Sequence, residues 1–155
     1  MNSVKNKLFF AVVIFSLVLS NVLKAQSANS SEALSIAKVD NKPVFPGCES
    51  IKDEEGRLSC LIQGIQKHVA KNFVYPEEAK KEKIQGKIFV SFVIAEDGTV
   101  KDIEVARSAH PLLDQAAIAS VASINDLNPR IKPASQQGKP VSVKFTIPIQ
   151  ASLND

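Results

Sequence analysis

With 155 residues, 45% hydrophobic and 23% charged, the chain has material for one domain with a modest core and flanking segments, and too little for two. Its formal charge of +3 rests on the first residues: a mature chain starting at Gln26 would lose Lys5, Lys7 and Lys24 and no acid, leaving zero. The remainder has no concentrated basic surface and no interleaved aromatics, which argues against nucleic-acid binding.

At the N-terminus, Lys5 and Lys7 precede a largely apolar run from Leu8 to Leu23, and Ala25 offers a small residue before a cut. Residues 1–25 therefore read as an export signal. The run is shorter than the roughly 20 apolar residues a spanning helix needs, so cleavage is expected. An uncleaved inner-membrane anchor is the alternative, and only then would the protein touch a membrane. Residues 26–42 are rich in Ser, Asn and Ala and read as a flexible leader, which leaves 43–155 as the domain.

Cys48 and Cys60 suit an exported protein, where an even count commonly means a bridge, here one that stabilises by about 2 to 3 kcal/mol in the chain-entropy model. The metal reading would add His68 and His110, but the four residues lack paired ligand spacing. No metal and no cofactor are expected.

Within the domain, Leu58, Leu61, Ile62, Ile65 and Val69 recur at helical spacing between Asp53 and Phe73, with acids at the start and cations near the end. His68 lies off the apolar stripe and reads as a solvated residue near the helix end. A short helix starts at Pro76. Lys87 to Ala95 follows as a strand with apolar residues on both faces, hence the most buried one. Asp97-Gly98 turns the chain into a more charged strand, Val100 to Arg107. Leu112 to Ile124 is a helix behind Pro111, Asn125 to Gly138 is a loop, and Lys139 to Ile149 is a last strand with Val141, Val143, Phe145, Ile147 and Ile149 on one face.

These elements predict an α+β fold: a three-stranded antiparallel sheet in the order 2-1-3, N-terminal helices, and one helix packed on the sheet. Pro140 and Pro148 cannot donate to a ladder, so the last strand belongs at an edge. The two prolines share the parity of Ser142, Lys144 and Thr146, so an incoming strand would meet three donors bounded by a proline at each end. The same features also protect an edge against unwanted pairing.

Pro43-Val44-Phe45-Pro46-Gly47, Tyr75-Pro76 with Ala79, Gly86, Asp97-Gly98 with Val100, Ser108, Leu113-Asp114 with Ala116-Ala117, Pro133-Ala134 and Gly138-Lys139-Pro140-Val141 form an ordered set over roughly 43–149. This set resembles the C-terminal domain of the TonB energy-transducer family. The Pro-Gly-Cys-Glu variant with a second cysteine in the next helix is similar to a branch common in Bacteroidetes-type bacteria. The resemblance implies a periplasmic, non-enzymatic domain of a Gram-negative bacterium that binds a peptide box of outer-membrane receptors, or another periplasmic protein, along its last strand. Carried onto this chain, the contact residues are Ser142, Val143, Lys144, Phe145, Thr146 and Ile147.

The chain departs from the family in lacking the proline-rich spacer and two aromatic residues around the last strand. The 17 residues from Gln26 to Lys42 reach at most about 60 Å, so binding without conventional force transmission is expected. The rival to receptor binding is a self-associating envelope protein whose edge strand pairs with a second copy. An enzyme is disfavoured because Ser108, His110 and Asp114 read as a loop-to-helix junction and no nucleophile motif accompanies them.

Overall fold

A computed structural model describes residues 33–153. The expected signal and residues 26–32 of the leader lie outside the described residues. Among the described residues no helix is long and apolar enough to cross a membrane.

Helix α1 spans Glu54–Asn72, and Asp53 caps it by accepting a hydrogen bond from the Gly56 N–H at 2.5 Å. Leu61, Ile65 and Val69 form its buried stripe, as their spacing predicts. The short helix α2 covers Glu77–Lys81, directly after Pro76. Helix α3 runs Pro111–Ala122 and continues as a 3-10 turn over Ser123–Asp126. His110 caps α3, its Nδ1 accepting from the Leu112 N–H.

The main sheet has four strands and is mixed, which corrects the expected three-stranded antiparallel sheet. Strand β1 is Leu34–Ser35, β2 Gly86–Ile94, β3 Val100–Arg107 and β6 Val143–Ala151, in the order β1-β6-β2-β3. The strands β3, β2 and β6 are adjacent as argued from burial, but β6 is not the edge strand that its prolines predicted, because β1 flanks it on the side away from β2. The addition is β1, which pairs parallel to β6 at Leu34↔Val143 and Ser35↔Lys144. Two residues with no apolar alternation left no strand signal.

A second correction concerns the last strand, which is two strands. Strands β4, Ala134–Gln136, and β5, Lys139–Val141, form a separate hairpin around Gln137 and Gly138, whose φ values of +50° and +75° suit a two-residue turn. Pro140 pairs with Ser135 in that hairpin and does not bound β6. Segment 33–42, read as leader, continues from β1 through a 3-10 turn at Ile36–Lys38 to the buried Val39. Asn41 then bridges Ser135, and Val44 bridges Lys132.

The helices share one core with one face of the sheet. Cross-strand partners Ile88↔Ile149, Val90↔Ile147, Phe92↔Phe145 and Ile94↔Val143 are all buried together with Leu61, Ile65, Leu113 and Val121. The Phe92 and Phe145 rings stack at 6.0 Å, which adds to the burial of two large side chains. Strand β6 alternates strictly, with Lys144, Thr146, Pro148 and Gln150 exposed on the opposite face. Cys48 and Cys60 form a disulfide that fastens the loop before α1 to the helix itself.

Candidate functional site

Alternate residues of a strand send both their N–H and C=O groups to the same side. The Leu34 N–H donates to the Ser142 carbonyl at 2.9 Å, so the even-numbered residues of β6 direct their main-chain groups away from β2. The site is therefore built from even positions. Of the six residues expected to contact a partner, Ser142, Lys144 and Thr146 turn their main chain outward. Val143, Phe145 and Ile147 pair with Ile94, Phe92 and Val90 of β2 and bury their side chains in the core.

Strand β1 divides this edge. Leu34 and Ser35 sit against Val143 and Lys144, and Ser142 is only 4% exposed, so the first part of the expected contact segment is covered by the chain itself. Beyond β1 the outward groups are the N–H and C=O of Thr146, the C=O of Pro148 and the main chain of Gln150. Pro148 has the predicted parity and removes one donor from the row.

Beside this open half lies a groove of about 370 Å³ between the end of α1 and β6. Val69, Phe73, Tyr75, Ile147 and Ile149 line it, with Pro148 at the strand. Phe73 and Tyr75 meet edge to face at 5.9 Å, and the Tyr75 hydroxyl donates to the Ile84 carbonyl, which fixes the ring. Sequence reasoning missed this wall. Its signal was present, because Val69 and Phe73 extend the α1 stripe towards Tyr75-Pro76, but their meeting with β6 depends on tertiary packing.

The opposite edge differs. Strand β3 shifts register against β2 twice, between Phe89 and Val90 and between Ser91 and Val93, and Asp102 takes a φ of +51°. Bulges and the exposed charges of Lys101, Asp102, Glu104 and Arg107 make that edge a poor template for another strand. Strand β6 pairs with β2 without a shift from Gly86↔Ala151 to Ile94↔Val143.

The remaining candidates have structural partners. His68, expected to be solvated, is half-buried: its Nε2 lies 3.0 Å from the Ser123 carbonyl and 3.1 Å from the Ser123 hydroxyl, tying α1 to the end of α3. The Ser108 hydroxyl donates to Asp114 at the start of α3, and His110 caps that helix. Among the described residues no cluster of three His, Cys, Asp or Glu could hold a metal ion.

Residues 71–150 match the family described as the C-terminal region of the Gram-negative bacterial TonB protein. The chain is 35% identical over 96 residues to Protein TonB of two Helicobacter pylori strains, covering 61% of this chain and 31% of each relative. It thus spans about a third of the length of those relatives. The solution NMR structure of the Helicobacter pylori TonB C-terminal domain is 32% identical, with 59% of this chain and 78% of that chain covered and a TM-score of 0.49. The corresponding Pseudomonas aeruginosa domain is 26% identical, with 53% and 79% covered and a TM-score of 0.41.

Proposed function

Because the chain belongs to the TonB C-terminal family, we propose that it is a periplasmic protein-binding module of the cell envelope that takes an extended peptide as an added strand on β6. The observation that carries this reading is the unbulged outer side of β6, whose even residues direct main-chain groups outward and which, among the described residues, has no strand paired to it beyond Lys144. Strand addition draws affinity from such main-chain bonds and specificity from alternate side chains. The seat runs from Ser142 through Ile147 and extends to Gln150. Side chains of a guest on the helix side would meet the groove of Phe73, Tyr75 and Ile149.

The guest in this proposal is a peptide segment of an outer-membrane TonB-dependent receptor, within TonB-linked transport. The family assignment supports that class of partner, and the module has no catalytic step in this reading. Titrating isotope-labelled protein with a receptor box peptide is expected to shift the amides of Ser142 to Gln150. Thr146→Pro is expected to weaken the interaction by removing an outward donor that β1 does not engage. Shifts confined to the β3 edge would reject the seat.

A further inference from the structure

Resting on the strand-docking reading, we infer that β1 is an internal occupant of the guest's seat and that a guest begins on the open half of β6 and then displaces Leu34–Ser35. Strand β1 is bound as an added strand would be. It lies parallel to β6 in a defined register, and the Leu34 N–H donates to the Ser142 carbonyl at 2.9 Å. The same register sets the Lys144 N–H against Leu34.

The length of the pairing decides what this contact can do. Two residues pair, Leu34 is half-buried and Ser35 exposed, and the pairing ends at the 3-10 turn Ile36–Lys38, which stays close to β6 with Ile36 only partly buried against the core. Short strands with few buried contacts open at low free-energy cost, without global unfolding. The open half, from Thr146 to Gln150, lies directly next to β1 and has the apolar groove beside it. A guest held there has its next outward groups, those of Lys144 and Ser142, under β1. Each residue by which it advances replaces one main-chain contact of β1 with its own.

Docking therefore draws on a seat that is only partly vacant, and the apparent affinity is the intrinsic affinity multiplied by the fraction of molecules in which β1 is open. The kind of partner follows from the seat. It is an extended segment long enough to span Ser142 to Gln150, with an apolar side chain for the groove and more main-chain pairs than the two residues of β1 supply.

The test compares two proline variants of the full chain. Leu34→Pro removes the donor to Ser142. Ser35→Pro is the control, since Ser35 has a φ of −69°, which proline adopts, and its N–H has the opposite parity. Leu34→Pro is expected to bind the receptor box peptide about three- to tenfold more tightly than wild type, while Ser35→Pro matches wild type. Hydrogen exchange without peptide gives a second readout: the Lys144 amide should exchange more slowly than Thr146 in wild type and equally fast in Leu34→Pro. Equal peptide affinity for wild type and Leu34→Pro overturns the inference, as does a Lys144 amide unprotected in wild type. A peptide copying residues 31–37 separates the two readings. If it shifts Ser142 to Lys144 of Leu34→Pro while the receptor peptide binds no variant, β1's seat stands and the receptor assignment fails.

Discussion

Gly98 turns the hairpin between β2 and β3 with a φ of +79°, and a Cβ on it would lie 2.0 Å from the Ile131 carbonyl oxygen. Both facts forbid a side chain. The left-handed conformation costs an alanine about 1–2 kcal/mol. The clash is with main chain of a buried residue, 2% exposed, so it cannot be relieved by a rotamer change. Gly98→Ala is expected to destabilise the domain by about 2–4 kcal/mol, read from the midpoint of urea unfolding. Asp97 completes the turn by accepting from the Thr99 N–H and hydroxyl, and these bonds hold its carboxyl below the usual carboxylate range. The Asp-Gly pair made this turn legible in the sequence. Its details were not: the loop has three residues between Ala95 and Thr99, and the contact with Ile131 comes from residues 125–138, which carry no hydrophobic period.

Elements carry the docking argument, because parity along β6 determines which substitutions act on the sheet and which on its edge. Thr146 has its N–H on the outer side, so Thr146→Pro should leave the sheet intact, shift stability by less than about 1 kcal/mol, and weaken peptide binding about two- to tenfold through one lost donor. Phe145 pairs with Phe92 and stacks on it, so Phe145→Pro removes a ladder bond and a core ring, at a cost of at least about 3–5 kcal/mol. Circular dichroism melts and the peptide titration together check the pair; equal stability for both variants would refute the parity assignment. The alternation of β6 was readable because each odd residue is apolar. Its true start was not, since apolar alternation runs unbroken from Val141 into Val143 while the backbone changes sheets at the buried Ser142. Pro140 and Pro148 looked equivalent for the same reason. The disulfide acts on another element, closing the loop between Cys48 and the first half of α1. Replacing both cysteines by serine is expected to cost about 2–3 kcal/mol in the chain-entropy model and to lower the melting temperature by on the order of 10 °C.

For the whole molecule, the two edges of the sheet decide between a partner-binding module and a self-associating one. The bulged, charged β3 is a poor donor to a second copy and β1 is only two residues long, so self-pairing of the main sheet falls on the open half of β6. A two-fold antiparallel pair centred on Thr146 would join its two Thr146 residues reciprocally, but the next pairs set Lys144, which β1 covers, against Pro148, which has no N–H. Centring the axis on Pro148 joins Thr146 to Gln150 twice and leaves an empty position in the middle. With β1 in place, either register yields at most four main-chain bonds. Stable interfaces bury at least about 1,200 Å² in total, far more than a strand pair of this length supplies. A guest peptide escapes both limits, because it has donors of its own to place opposite the Pro148 carbonyl and can displace β1 without losing a strand elsewhere. The protein is therefore expected to sediment as a monomer between about 10 and 100 μM, and Thr146→Pro is expected to leave that behaviour unchanged. A dimer that grows with concentration and disappears in Thr146→Pro would show that β6 pairs with its own copy, and would favour the assembly role over receptor binding.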